Sequence, residues 1–143
     1  KIISTITDFT AQEFISFLEN KNELQKVLLF TEGGSCEGAM AIKDYIETHR
    51  KKVQFYCIGK IESSGIIILS AGKNNVSYKN CTFGTHKPIV GNGSIRNSWL
   101  HRKKLRLYIE LIQSLTPKIR IKRKMIYLTA REALEHKLIS KII

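Results

Sequence analysis

Residues 53–72 read VQFYCIGKIESSGIIILSAG and contain the change of pattern that decides the fold. Apart from Gln54, residues 53–58 are apolar, aromatic or β-branched, which predicts a strand. Residues 59–65 form a turn bounded by glycines, and residues 66–71 predict a buried helix that Gly72 closes. A strand, a turn and a helix in this order are part of a β-α-β unit.

The same order precedes this stretch. Residues 27–30 (VLLF) are a continuous apolar run of strand length, which predicts a strand buried on both faces. A glycine pair, Gly33-Gly34, follows the run, and the chain after it predicts a helix that ends near His49. Repeated β-α-β units indicate an α/β fold with parallel strands, in which reactive groups collect where strands end and helices begin.

The flanking sequence predicts the remaining elements. A short strand at 2–6 leads to a helix that ends at Asn20, with Asp8 or Thr10 as its cap. Further elements in chain order are strands at 76–78 and 82–85, a long helix at 98–115, a half-buried strand in the basic and apolar alternation of 118–124, and a helix at 129–136 opened by a Thr129–Glu132 capping box. We expect the Leu100, Leu107 and Leu111 side of the long helix to lie in a subunit contact.

The composition fits one globular domain covering residues 1–143. Hydrophobic residues make up 43% of the chain and charged residues 25%, and 143 residues are enough for a single core. The longest apolar run, 66–69, is far shorter than the roughly 20 residues of a membrane span, so we expect no membrane partner.

The three cysteines, Cys36, Cys57 and Cys81, are odd in number and show no C-x-x-C spacing. This pattern favours buried free thiols in a reducing compartment over a disulfide framework or a zinc site. We therefore expect no metal and no cofactor.

The net charge of +12 is unevenly distributed. Residues 1–86 carry ten Lys and Arg against nine acids, whereas residues 87–143 carry fourteen against three. Only Trp99, Tyr108 and Tyr127 near the basic runs could stack on bases. The charge thus favours a solvated basic face or a subunit contact, and a module that binds nucleic acid or an acidic partner stays an alternative.

Five segments together resemble the proteolytic subunit of the Clp protease family. Residues 33–44 (GGSCEGAMAIKD) are similar to its Gly-Gly-Ser turn and following helix, and 59–65 (GKIESSG) match its G-x-x-x-S-x-G nucleophile turn. Residues 69–72 (LSAG) resemble its helix end, and 80–88 (NCTFGTHKP) resemble the segment that carries its catalytic histidine. Residues 127–139 (YLTAREALEHKLI) are similar to its C-terminal motif.

This resemblance implies the ClpP/crotonase fold, with repeated β-α-β units and a long projecting helix. It places Ser63 as the nucleophile and His86 as the base that takes its proton. Gly33 and Ser64 are the candidate oxyanion donors, because a glycine turn and the amide after a nucleophile can both approach a developing oxyanion.

Three features depart from the family pattern. The position of the triad acid falls close to Ile121, in a stretch that contains no carboxylate. Glu62 stands before Ser63 where the family has a small apolar residue, and it could repel an oxyanion or hold His86. Ile121 follows His86 by only 35 positions (121 − 86), fewer than in the family, and the deficit falls on the helix and loop that interlock two stacked rings.

The resemblance implies a serine endopeptidase subunit of a self-compartmentalising, ATP-dependent protease. Its implied partners are further subunits of the same or a related chain in a heptameric ring, an AAA+ ATPase chaperone and unfolded polypeptide substrates, in the cytoplasm or the interior of a bacterium-derived organelle. Two alternatives come from the same fold, a catalytically impaired structural ring subunit and a crotonase-like acyl-thioester enzyme. The serine in the nucleophile turn argues against the second of these.

Overall fold

A computed structural model of the chain describes residues 2–87 and 99–143. Its helices are α1 (Asp8–Glu19), α2 (Cys36–Thr48), α3 (Gly65–Ala71), α4 (Trp99–Leu115) and α5 (Ala130–Glu135). Its strands are β1 (Ile2–Ile3), β2 (Gln25–Thr31), β3 (Val53–Glu62), β4 (Val76–Ser77), β5 (Thr82–Thr85), β6 (Ile126–Thr129) and β7 (Lys141–Ile142). The alternation of strands and helices predicted for the first half of the chain is confirmed, and so is the α/β class.

The strands form one sheet in which β3 has three partners. Along the order β1-β2-β3-β4-β7 every neighbouring pair is parallel. The first half of β3 pairs with β4 at Tyr56 and Cys57, whereas its last three residues pair in parallel with β5. On its other edge, β5 pairs antiparallel with β6. The end of β3 therefore belongs to a second strand group, and this group positions the site described below.

A bulge in β3 makes the change of partner possible. Between the pairs Leu29–Cys57 and Thr31–Ile61, β2 advances two residues and β3 advances four. Within the bulge Gly59 has a φ of +66°, and a Cβ on it would lie 2.5 Å from the ring of Phe30. Only glycine meets both conditions, because it has no side chain and adopts positive φ without penalty.

The prediction that β2 is buried on both faces is wrong. Val27 and Leu29 are fully buried in the core cluster, but Leu28 is 38% exposed and Phe30 is 42% exposed. Alternate residues of a strand point to opposite faces, and the core cluster contains only one of the two sets. The other face of β2 is apolar and uncovered, which is the arrangement expected of a surface that contacts another molecule.

One of the two predicted helix N-caps is correct. In α5 the Thr129 side chain accepts from the Glu132 backbone, and the Glu132 carboxylate accepts from the Thr129 N–H at 2.7 Å. The N-cap of α1 is Thr7 and neither Asp8 nor Thr10, since Thr7 and Thr10 exchange side-chain to backbone hydrogen bonds in their own capping box. A Thr-x-x-Thr pair does the work that Ser/Thr-x-x-Glu usually does.

The segment 118–124 is not the half-buried strand that its alternation predicted. Ile119 and Ile121 are indeed buried between exposed basic residues. However, the Gln113 side chain of α4 donates to the Ile119 carbonyl at 2.9 Å and accepts from the Ile121 N–H at 3.5 Å. The Gln113 side chain thus occupies main-chain groups that would bond to a neighbouring strand if this segment were a strand. The next strand, β6, begins at Ile126.

The long helix covers part of its own apolar side. Ile112 of α4 is buried and Leu111 packs against the core, whereas Leu107 is 59% exposed. Leu111 is therefore covered by the chain's own core and is not available for the expected subunit contact. Leu107 remains available for it. The side chain of Leu100 lies outside the described residues. Among the described residues, none of the helices has the length and apolar content to cross a membrane.

All three cysteines are free thiols, as predicted, but only two of the three are buried. Cys57 and Cys81 are buried, and Cys36 is half-buried. Burial raises the pKa of the Cys57 and Cys36 thiols, and it raises the pKa of Cys81 from 9.0 to about 11. The folded state therefore holds these groups in the neutral thiol form.

We expect alkaline pH to destabilise the fold through these thiols. A raised pKa in the folded state gives stability that is complete below the ordinary value of 9.0 and is lost as pH rises toward about 11, because the unfolded chain loses its proton first. Cys81 alone should lower the free energy of unfolding by about 1.4 kcal/mol per pH unit in that window. Urea unfolding at several pH values measures the slope. Cys81→Ala should have a shallower slope than the parent protein between pH 9.0 and about 11, and identical slopes would contradict the assignment.

Candidate active site

Ser63 occupies the turn between β3 and α3 in a strained conformation. Its φ is +54°, which is uncommon for a residue other than glycine. The Ser63 N–H donates to the Gly84 carbonyl at 2.8 Å, and this bond extends the pairing of β3 with β5 by one residue. Ser64, fully buried, is at the N-cap position of α3 but makes no side-chain capping hydrogen bond. The chain therefore turns sharply at Ser63 and leaves its side chain half-buried beside the end of β5.

His86 follows the last residue of β5 and meets Ser63 directly. Its Nε2 lies 2.9 Å from Ser63 Oγ, and its Nδ1 lies 2.7 Å from the main-chain carbonyl oxygen of Lys87. The two residues that the sequence predicted as nucleophile and base are thus brought within hydrogen-bond distance. This geometry is that of a hydroxyl with a neighbouring proton acceptor.

No carboxylate holds His86 in the described part of the chain, which contains every Asp and Glu of the sequence. Glu62 lies 4.0 Å from Lys60, and Glu110 bonds to Arg106 one turn away on α4 at 3.1 Å. Neither acid that could have replaced the missing one is therefore directed at the imidazole. Among the described residues no group of three His, Cys, Asp or Glu side chains could hold a metal ion.

Gly33 lies against Ser63, as expected, but its amide has a partner. Its φ is +96°, and a Cβ on it would lie 2.7 Å from the Cβ of Ser63. The Gly33 N–H donates to Thr31 Oγ1 at 2.9 Å, so this amide is already engaged in a hydrogen bond. The amides of Gly34 and Ser64 have no hydrogen-bond partner among the residues described here, so both are free to donate.

Sequence reasoning missed the groups on this site that belong to the main chain. The carbonyl of Lys87 faces the imidazole, and the Lys87 N–H donates in turn to the carbonyl of Lys122 at 2.7 Å. Every residue has a main-chain carbonyl, so this role cannot be predicted from the residue type. The Thr31 hydroxyl could have been noticed, because threonine two residues before a glycine turn commonly bonds to nearby backbone.

Thr85, just before His86, has a buried hydroxyl without a partner. It is 2% exposed, and its Oγ1 finds no hydrogen bond among the residues that the structure covers. A hydroxyl in that state carries an uncompensated desolvation cost of about 1–3 kcal/mol. This desolvation cost arises at the last residue of β5, directly before His86.

Replacing this hydroxyl by a methyl group should stabilise the protein. We expect Thr85→Val to raise the free energy of unfolding by about 1 kcal/mol, since valine keeps the branched shape and needs no partner. Thr82→Val is the matched control on the same strand, because Thr82 is exposed and its Oγ1 lies 3.5 Å from the Gly59 carbonyl. Its effect should stay within about 0.5 kcal/mol. Chemical unfolding measures both, and a destabilised Thr85→Val would show that the hydroxyl has a partner.

Comparison with known proteins points to one family. The family model described as Clp protease matches residues 1–143. A curated relative from Bdellovibrio bacteriovorus, named ATP-dependent Clp protease proteolytic subunit, is 29% identical over 99 residues. A solved ClpP1 mutant from Listeria monocytogenes superposes with a TM-score of 0.80 at 21% identity, covering 99% of this chain and 88% of its own. The second likeness shows a shared fold.

The match to the curated relative is partial in length. The aligned residues are 64% of this chain and 47% of the relative, so the chain matches about half of that protein. The fold expected from the sequence, repeated β-α-β units of the ClpP type, agrees with the solved structure over almost the whole chain.

Proposed function

Because this chain belongs to the Clp protease family, we propose that it is a serine endopeptidase subunit of a self-compartmentalising, ATP-dependent protease, with Ser63 as nucleophile and His86 as general base. The observation that carries the proposal is the 2.9 Å contact between Ser63 Oγ and His86 Nε2. In this role His86 takes the hydroxyl proton as Ser63 attacks the substrate carbonyl, and it then returns that proton to the leaving amine.

The amides around Ser63 support the same chemistry. The attack would place negative charge on the former carbonyl oxygen, and preorganised N–H groups stabilise such charge. The Ser64 N–H belongs to the residue after the nucleophile, and the Gly34 N–H comes from the turn that packs against Ser63 through Gly33. A single donor of this kind is typically worth about 2.7–4 kcal/mol in the transition state.

A structural ring subunit is the second candidate, and one observation favours it. No carboxylate bonds to His86 in the described part of the chain, although all acids of the sequence lie there. In a well-studied triad, replacing the acid by its amide costs about 10⁴ in turnover. A subunit of this kind would complete a ring while others perform most of the hydrolysis.

The apolar face of the sheet supports assembly with partners. Leu28, Phe30, Ile58 and Tyr78 are each about two-fifths exposed (38%, 42%, 40% and 42%), on strands β2 and β3 and just after β4. Monomeric proteins rarely leave such side chains clustered in water, so the face fits a contact with another ring subunit or with the ATPase. Unfolded polypeptide is the substrate class that such an assembly would receive.

Covalent labelling tests the nucleophile. We expect a serine-directed phosphonate or lactone probe to label the protein, Ser63→Ala to abolish the labelling and His86→Ala to slow it by about 10²-fold or more, the usual contribution of a general base. Ser70→Ala and His136→Ala are the matched controls and should label at the parent rate. Intact mass and the labelled peptide identify the site.

Two results would contradict the assignment. Labelling that survives Ser63→Ala would place the nucleophile elsewhere. An assembled protein that no probe labels at any pH would favour the structural subunit.

Assembly has its own test on α4. We expect the chain to form rings at micromolar concentration and Leu107→Glu to shift it to smaller species, because that change puts a charge on the exposed apolar side of the helix. Leu24→Glu is the control, since Leu24 is 50% exposed but lies in the turn before β2. Light scattering after size-exclusion chromatography measures the mass. A monomeric parent protein would overturn the ring.

A further inference from the structure

We propose that the main-chain carbonyl of Lys87, anchored by Lys122, replaces the missing triad acid as the group that orients His86. The proposal rests on the function proposed above and concerns how the base of that site is held. It makes the Lys87 carbonyl a positioning group, because it touches the imidazole and not the substrate.

The chemistry of the two contacts fixes the tautomer. A carbonyl oxygen has no proton to donate, so the 2.7 Å contact between Lys87 O and His86 Nδ1 requires the proton to be on Nδ1. In the neutral ring Nε2 then carries a lone pair, and that lone pair faces Ser63 Oγ at 2.9 Å. A carboxylate on Nδ1 would select the same tautomer.

The residue that bears this carbonyl is anchored through its own N–H. The Lys87 N–H donates to the Lys122 carbonyl at 2.7 Å, directly after the β5–β6 ladder that ends with the pair Thr85–Ile126. The peptide that follows His86 is therefore tied to a neighbouring segment. Without this bond the Lys87 main chain could move away from the imidazole, and the carbonyl of the next peptide unit would move with it.

The anchoring segment is itself fixed by packing and by α4. Ile119 and Ile121 are 9% and 4% exposed, and the Gln113 amide bonds to the main chain of both. Ile121 is close to the position at which the family resemblance would place the acid. The segment still supports the histidine, but through the Lys122 main chain in place of a side chain.

A neutral carbonyl should provide only part of the stabilisation that a carboxylate provides to His86. It selects the tautomer and fixes the ring, but it offers less stabilisation to the imidazolium, since hydrogen bonds with an ionised partner are roughly twice as strong as neutral ones. The structure thus points to a weak peptidase whose base is correctly prepared in the ground state.

Solid-state ¹⁵N spectra of the full-length assembled protein, labelled at histidine, test the proposal without any need for activity. The His86 signals are identified by their loss in His86→Gln. We expect a protonated Nδ1 and an unprotonated Nε2 at alkaline pH, and the same pattern in Lys87→Ala, which changes only the exposed side chain. A ring protonated on Nε2 in the parent protein would overturn the proposal.

Lys87→Pro removes the N–H that bonds to Lys122 and keeps the carbonyl that faces His86. We expect a mixture of tautomers and probe labelling slowed by up to about 10²-fold, the scale of a displaced catalytic group. Unchanged spectra and labelling in a folded Lys87→Pro protein would overturn the anchoring by Lys122. If that variant does not fold, the spectra of the parent and of Lys87→Ala decide alone. If Ser63 is never labelled but Nδ1 carries the proton, the proposed function fails and the orienting contact stands.

Discussion

The site depends on the pairing of the last three residues of β3 with β5. Lys60, Ile61 and Glu62 pair in parallel with Thr82, Phe83 and Gly84. Parallel neighbours end at the same edge of a sheet, so Ser63, which follows β3, and His86, which follows β5, lie close together. The bulge at Gly59 is a condition of this arrangement, because the earlier half of β3 is already paired with β4. Without the change of partner, β5 would not pair with the end of β3, and Ser63 and His86 would not meet.

Local signals made much of the fold predictable. The strand, turn and helix of residues 53–72 depend on the pattern of a few neighbouring residues, and so does the capping box at Thr129. The interactions that form these features are short-range. The exposure of Leu28 and Phe30 could not be read in this way. An apolar side chain looks the same in sequence whether its own helices cover it or another molecule does, and only the sheet topology shows which side the helices leave open.

The site was half predictable for a related reason. Ser63 and His86 are side chains of characteristic type at characteristic spacing, so both could be predicted from the sequence as a pair. The orienting group could not be found by searching for a carboxylate, because the contact on His86 Nδ1 is a main-chain carbonyl. Likewise the sequence offered Gly33 as a candidate oxyanion donor, and it could not show that the Gly33 amide already bonds to Thr31 Oγ1. Main-chain groups acquire such roles from folding alone, and residue identity carries almost no signal for them.

The conformation of Ser63 bears on the choice between peptidase and structural subunit. A non-glycine residue at φ +54° costs about 1–3 kcal/mol, and a glycine would make the same turn without that penalty. The surroundings enforce the strain, since the Ser63 N–H is bonded to Gly84 and the buried Ser64 donates its hydroxyl to the Gly34 carbonyl at 3.2 Å. What serine adds over glycine is a hydroxyl whose hydrogen bond runs to His86. A scaffold gains little from a strained hydroxyl against a half-buried imidazole, whereas a nucleophile needs that placement, so the geometry favours the peptidase.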